Sequence, residues 1–197
     1  MTLLLKLSQL IDRLVYQVGQ AAFWLVLTMT VISAGNAGVR FVFNYSSNGL
    51  LEIQWYLFAA VFLLSAAYTL QRNEHVRIDV LSGKLSPRGL AVIDIIGTLL
   101  FLLPMTLTIL WLSLPLVAES IRINEMSGNA GGLLRWPVKL LLPVGFALLA
   151  LQGISELIKR LAFLAGLIAD PNSKAAGPTP EEQLAAAIAA GQAGERK

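Results

Sequence analysis

The chain has 197 residues, of which 56% are hydrophobic and only 14% are charged, and its mean hydropathy is +0.68. Soluble domains carry about a quarter charged residues, so this composition indicates a membrane protein. The net charge of +3 does not indicate nucleic-acid binding, because the basic residues flank apolar runs instead of clustering. The absence of cysteine excludes disulfides and thiolate metal sites, and a single histidine cannot supply both axial ligands of a haem.

The first 18 residues carry apolar side chains at spacings of three and four, with polar side chains on the other face. This pattern predicts an amphipathic helix at residues 1–18 that lies in the membrane interface. The alternative is a cytosolic extension of the first membrane-spanning helix.

Four runs without Asp, Glu, Lys or Arg follow, at residues 14–39, 53–71, 95–118 and 140–155. A bilayer core of about 30 Å needs roughly 20 helical residues, so the first three runs suffice. The fourth reaches this length from Arg135 onward if the amine of Lys139 extends to the interface. We therefore predict an all-α integral membrane protein whose transmembrane domain occupies residues 19–165, with spans at about 19–43, 50–71, 87–117 and 135–160. Pro104 is expected to weaken or kink the third span.

Basic residues are distributed unequally between the two sets of predicted span ends, which sets the expected orientation. One set carries Lys6, Arg13, Arg72, Arg77, Lys84, Arg88, Lys159 and Arg160, and the other carries Arg40, Arg122, Arg135 and Lys139. The excess predicts that both termini are cytoplasmic. Residues 166–197, rich in Ala, Gly and Pro, are expected to form a flexible cytoplasmic tail.

The charged residues at the span ends suggest ion pairs more readily than catalysis. Asp94 is expected near the cytoplasmic headgroups, paired with Arg88 or Arg77, and a proton-relay role is the alternative. Arg40 and Glu52 flank the same short turn, which favours an ion pair between them. Because the sequence holds no recognisable catalytic or nucleotide-binding motif, we expect no enzyme activity and no cofactor in this chain.

The segment "LQRNEHVRIDV" at residues 70–80 gathers charge directly after the second apolar run. It could be an ordinary solvated loop of the positive-inside type. However, Val76, Ile78 and Val80 alternate with Arg77 and Asp79, which favours a segment packed against a partner or lipid headgroups.

The longer stretch "EIQWYLFAAVFLLSAAYTLQRNEHVRIDVL" resembles the small membrane subunit of tripartite ATP-independent periplasmic (TRAP) transporters, the DctQ-like family. The later stretch "LLRWPVKLLLPVGFALLALQGISELIKR" is similar to the fourth helix of that family, and the resemblance covers roughly residues 20–160. The residues that match the family pattern are Glu52, Trp55, Tyr56, Asn73, His75, Val76, Arg77 and Asp79.

This resemblance implies a small permease subunit of a sodium-coupled importer of an organic acid, in the bacterial inner membrane. The implied partners are a large membrane subunit, which carries the substrate and sodium sites and moves as an elevator, a periplasmic substrate-binding protein, and membrane lipids. The small subunit is implied to scaffold and anchor the large one. The implied structural or partner-interface residues, none of them transport ligands, are Glu52, Trp55, Asn73, His75, Arg77 and Asp79.

Two other functions compete with this interpretation. A self-sufficient homo-oligomeric carrier or channel could place Asp94 beside its path. A membrane anchor for an electron-transfer enzyme is disfavoured by the single histidine and the absence of cysteine.

Overall fold

The computed structural model describes residues 2–44, 47–73 and 86–169, and this part of the chain is helical apart from short connections. Its elements are α1 (Thr2–Phe43), α2 (Asn48–Arg72), α3 (Pro87–Gly97), a π-helical turn (Thr98–Leu102), α4 (Leu103–Arg122) and α5 (Trp136–Leu164). Four helical stretches are long and apolar enough to cross a membrane, with α3, the π turn and α4 forming one of them. The predicted all-α, four-span architecture is confirmed.

Helix α1 continues without interruption for 42 residues, about 63 Å, which is twice the thickness of a bilayer core. The predicted boundary after residue 18 is absent, and the N-terminal segment is apolar rather than clearly amphipathic. Ser8, Ile11 and Val15 are buried by the rest of the bundle. The first part of α1 therefore belongs to the packed helical structure.

The third span changes its hydrogen bonding next to Pro104. Proline has no amide hydrogen and cannot donate to the carbonyl four residues earlier. The helix accommodates this with the π turn, in which the amide of Leu103 donates to the carbonyl of Thr98. The predicted weakening near Pro104 thus takes the form of a local widening, and the span continues to Arg122 rather than ending near residue 117.

Helix α5 lies at the centre of the bundle. In its most apolar window 56% of the residues are buried, against 11–17% in the other three spans. Helices α1 and α2 pack on one side of it, and α3, the π turn and α4 also contact it. Gly145 allows α5 to approach the backbone of Leu63 in α2, where an added Cβ would lie 2.9 Å from the carbonyl oxygen.

The antiparallel packing brings the beginning of α1 to the end of α5, and the loop between α4 and α5 to the beginning of α2. Next to the first of these ends lies a small apolar core, to which Ile11, Val15, Ala67 and Leu148 contribute. The polar side chains that interact across helices collect in two groups, one at each end.

Candidate functional site

The first polar group, which we call the Glu52 clasp, joins the beginning of α2 to the loop at residues 123–135. Glu52 is only 3% exposed. Its carboxylate accepts hydrogen bonds from the hydroxyl of Ser127, the amide of Asn129 (2.7 Å) and the backbone N–H of Leu133 (2.8 Å). One carboxylate therefore satisfies donors from three positions of the loop, which apolar surroundings would otherwise leave unpaired.

Two neighbours of Glu52 complete the clasp. Asn48 lies one turn before it and Tyr56 one turn after it, so the three side chains share a helix face. The Asn48 amide donates to the carbonyl of Ala130 (3.1 Å), and the Tyr56 hydroxyl donates to the carbonyl of Leu134 (3.0 Å). The loop also closes on itself through an antiparallel bridge between Met126 and Leu134.

The base of the loop is fixed by Glu125 and Lys139. The Lys139 amine forms an ion pair with the Glu125 carboxylate, and the backbone N–H of Arg135 donates to the Glu125 carbonyl (2.8 Å). The hydrogen bond from Lys139 is the chief reason that the pKa of Glu125 lies below its usual value. This ion pair therefore connects the loop to the first turn of α5.

The expected ion pair between Arg40 and Glu52 does not form. The Glu52 carboxylate is fully engaged by the loop, and Arg40 makes no ion pair within the ranges that the structure describes. Arg40 instead lines a cavity between the end of α1 and the beginning of α2.

The second polar group, which we call the Asp12 cluster, joins α1 to the last turns of α5. The Asp12 carboxylate accepts from the Ser155 hydroxyl (2.7 Å) and the Gln152 amide (3.0 Å), and it lies 3.2 Å from the Lys159 amine. The side chains of Gln152 and Ser155 are completely buried. Three side chains of α5 therefore fix the position of α1 along its axis.

Further contacts make the Asp12 cluster a network. Ser8 and Ser155 share a hydrogen bond of 2.7 Å between their hydroxyl oxygens. Glu156 pairs with Lys159 (2.5 Å), so this amine serves two carboxylates. The amide of Gln71 donates to the backbone carbonyl of Asp12 (2.7 Å), which adds α2 to the network.

Asp94 lies beside this cluster and forms an ion pair with Arg160 of α5 (2.8 Å). Arg160 is 5% exposed, and its other terminal nitrogen lies 3.9 Å from Glu156. Of the two expected partners of Asp94, Arg88 makes no ion pair with it, and Arg77 lies outside the described residues. Because Arg160 approaches from α5, the pair links the third and fourth spans.

The remaining residues of the family pattern are only partly described. Asn73 ends α2 in the left-handed conformation (φ 57°), and its backbone N–H donates to the Leu70 carbonyl (3.1 Å). Asparagine adopts this conformation at lower cost than most residues, which explains its use there. Trp55 is 66% exposed on the outer surface of the bundle. His75, Arg77 and Asp79 lie outside the described residues, so their assignment as structural or interface residues stays a prediction.

Sequence reasoning missed the role of Asp12, which is one of the polar side chains that the pattern of the first 18 residues assigns to the polar face of an interfacial helix. It also missed Gln152 and Ser155. A signal was present, because these two polar residues interrupt an apolar run at a spacing of three, and polar residues inside a span usually have a specific partner. For the Glu52 clasp, the signal was the spacing of four between Asn48, Glu52 and Tyr56.

The chemistry of both groups is that of helix association. Over the described ranges, no group of three or more His, Cys, Asp or Glu side chains could hold a metal ion. The carboxylates of the two groups face hydrogen-bond donors and cations of the chain itself. Both groups therefore fix one helix or loop against another.

Comparison with known proteins gives a family. Residues 29–163 match the family model described as tripartite ATP-independent periplasmic transporters, DctQ component. Searches of curated proteins and of solved structures each gave no match. The matched region begins within α1 and includes the Glu52 clasp and nearly all of α5. On this match, which covers more than half of the sequence, the chain belongs to the DctQ family, the small membrane component of TRAP transporters.

Proposed function

We propose that this chain is the static, scaffolding subunit of a sodium-coupled TRAP importer of an organic acid in the bacterial inner membrane. Family membership supports the place in a TRAP transporter, with a large membrane subunit and a periplasmic binding protein as partners. The observation that carries the static role is that both polar groups of the bundle lock helices together.

The locking contacts connect every span to another. The Asp12 cluster joins α1 to α5 and reaches α2 through Gln71. The Asp94–Arg160 pair joins α3 to α5. The Glu52 clasp joins α2 to the loop that follows α4. A subunit that changes its internal arrangement during transport would have to break several of these buried contacts in each cycle, at considerable cost.

The surface of the bundle is largely apolar, as expected for a scaffold surrounded by lipid and by a partner membrane protein. Only 11–17% of the most apolar windows in the first three spans is buried within the chain. Large side chains such as Phe62, Phe101 and Trp111 are about 70% exposed. This surface is available to lipid and to the large subunit, so the small subunit can anchor its partner in the bilayer.

In this proposal, substrate and sodium bind to the large subunit, and the organic acid, a carboxylate or sugar acid, is captured by the binding protein. Both termini of the small subunit face the cytoplasm, in agreement with the excess of basic residues at those span ends. The Glu52 clasp then faces the periplasm. No substrate group needs to contact this chain.

The proposal can be tested by covalently joining α1 to α5. The hydroxyl oxygens of Ser8 and Ser155 are 2.7 Å apart, and the chain contains no cysteine, so the S8C/S155C variant can form a single engineered disulfide. The complete three-component transporter would be reconstituted in liposomes with a sodium gradient. Because the two helices do not separate in a static scaffold, oxidation should leave uptake unchanged.

The control is S8C alone, which reports any effect of oxidation on other components. Uptake that stops on oxidation of the double variant and returns on reduction would contradict the static role. Liposomes containing this chain alone address the alternative of a homo-oligomeric carrier. Sodium-driven uptake by the isolated chain would favour that alternative, whereas uptake that requires the large subunit agrees with our proposal.

A further inference from the structure

A cavity of about 680 Å³, lined by both polar and apolar side chains, lies between the end of α1 and the beginning of α2. It opens at the surface of the bundle at the same end as the Glu52 clasp. Its lining residues are Ser33, Asn36, Ala37, Arg40, Phe41, Asn44, Leu51 and Gln54.

Two amide groups that line this cavity each have one atom without a hydrogen-bond partner. Asn36 is only 7% exposed, and its Oδ1 atom accepts no hydrogen bond. The Nε2 atom of Gln54 is buried and donates none. Buried polar groups in native proteins are rarely left unsatisfied, because each costs about 1–3 kcal/mol. Both atoms are shielded from solvent, so an incoming molecule can satisfy them once the two amide side chains turn toward the cavity.

Arg40 adds an unmatched positive charge to the cavity. It is the first charged residue after Arg13 along α1, so it lies where this span leaves the apolar layer. The residue is exposed, and within the described part of the chain it makes no ion pair. The nearest acid along the sequence, Glu52, is occupied by the loop. A guanidinium at this depth faces the phosphate layer of a bilayer.

From these groups we infer that the α1–α2 cavity binds the headgroup of a glycerophospholipid. The phosphodiester binds the Arg40 guanidinium, and a phosphate or ester oxygen accepts from Gln54 Nε2. A hydroxyl or ammonium group of the headgroup donates to Asn36 Oδ1. Phe41, which is 88% exposed at the rim, offers an apolar surface to an acyl chain. This inference does not depend on the proposed function.

The amphiphilic character of the cavity favours a lipid over a free anion or a protein. A free anion would satisfy Arg40 but would leave the apolar rim uncovered. A protein partner would have to bring an anion, a donor and an apolar group to one open crevice at headgroup depth. A phospholipid carries all three in one molecule.

The test uses the full chain, purified and delipidated in detergent, and measures the shift in Tm on addition of ligand. The probes are dioctanoyl phosphatidylglycerol, dioctanoylglycerol, which lacks the phosphate, and inorganic phosphate. We expect phosphatidylglycerol to raise the Tm of the wild-type chain at the lowest concentration. R40A should weaken its apparent affinity about tenfold, which is the usual effect of losing one charge-assisted hydrogen bond.

Two further variants keep the test decisive. R122A is the matched control, because Arg122 lies at the same end of the bundle but is paired with Glu119 (2.7 Å), and it should bind the lipid like the wild type. R40K keeps the charge and loses the fork of donors, so it should fall between wild type and R40A. Native mass spectrometry of each variant extracted from membranes would show whether a lipid of the phosphodiester class is retained.

Several results would overturn the inference. These are an equal response to dioctanoylglycerol, an equal response to inorganic phosphate, and unchanged lipid affinity in R40A. A fourth is loss of co-purification with the large subunit in R40A while lipid affinity is unchanged, which would assign the cavity to a protein contact.

Discussion

The two ends of this helical bundle are held together in different ways. At one end, the Asp12 cluster and the neighbouring Asp94–Arg160 pair together spread three carboxylates and two cations over α1, α3 and α5, supported by Gln152 and Ser155. At the other end, the Glu52 clasp uses a single carboxylate to gather three donors of one loop. The first arrangement joins regular helices, and the second gives order to an irregular segment.

The difference arises because the two ends differ in how many backbone groups need a hydrogen-bond partner from a side chain. Within a helix the backbone N–H and C=O groups bond to each other, so only side chains are needed to hold one helix against another. Several side-chain contacts can then contribute to the same helix–helix interaction. The loop at residues 123–135 has backbone groups without helical partners, and a carboxylate can accept several of them at once. We therefore expect the Asp12 cluster to tolerate single changes better than the Glu52 clasp does.

The largest effect is expected for E52Q. The substitution keeps the shape of the side chain but replaces one acceptor oxygen with an NH₂ donor, so at least one loop donor loses its partner. Hydrogen exchange of the Leu133 amide should accelerate by more than about tenfold, while amides in the middle of α5 stay protected. The matched control is E119Q at the same end, where the acid pairs with exposed Arg122. Equal exchange in E52Q and wild type would show that the clasp does not hold the loop.

A second comparison contrasts the two halves of α5 through its glycines. A Cβ at residue 145 would meet the Leu63 carbonyl oxygen at 2.9 Å, and backbone cannot move aside easily. A Cβ at residue 153 would meet the flexible end of Leu102 at 2.5 Å. We expect G145A to lower the free energy of unfolding by about 1–3 kcal/mol, and G153A to lower it less.

The measurement is thermal or SDS-induced unfolding of the full chain in the same detergent. The control is G97A, because no atom lies within 4 Å of a Cβ added at Gly97. If G145A were as stable as G97A, the prediction would be wrong, and α2 and α5 could separate slightly without lowering the free energy of unfolding.

The redundancy of the Asp12 cluster can be measured with D12N. The amide still accepts from Ser155 and Gln152 but no longer attracts the Lys159 amine, which keeps Glu156 as its partner. We expect a loss of about 1–2 kcal/mol, below the usual cost of breaking a buried ion pair. A double-mutant cycle with K159M gives the coupling energy between Asp12 and Lys159. A value above about 3 kcal/mol would contradict the interpretation that several contacts of the cluster contribute to its stability.

The smallest expected effect is that of acid on the base of the loop. The pKa of Glu125 in the folded chain lies below its usual value of 4.5, chiefly because of the hydrogen bond from Lys139. The stabilisation is therefore complete above pH 4.5 and is lost as the pH falls through the lowered value. Protection of the loop amides should be constant from pH 7 to 5, after correction for intrinsic exchange, and should fall below about pH 4. K139M should remove this acid dependence, and a fall that persists in K139M would assign it to another carboxylate.

The sequence predicted the architecture well because a bilayer imposes a simple length rule. Three charge-free runs of about 20 residues or more and a fourth of 16 residues identify the four spans, and Pro104 marks the altered turn in the third one. The side-chain partners were predicted poorly. Arg40 was expected to pair with Glu52 because they are neighbours along the chain. The actual partners of Glu52 lie 75 to 81 positions away.

The sequence by itself determined the membrane class, the number of spans and the family, since these depend on hydropathy, length and local motifs. Only the tertiary structure decided that α1 is one continuous helix locked to α5, that Glu52 holds a distant loop, and that Asp94 meets Arg160. These contacts depend on how the helices are arranged around α5, and hydrophobic patterning in a membrane does not specify which polar residues will face each other. The lack of hydrogen-bond partners for Asn36 Oδ1 and Gln54 Nε2 likewise depends on how α1 and α2 are arranged, so it could not be predicted from the sequence.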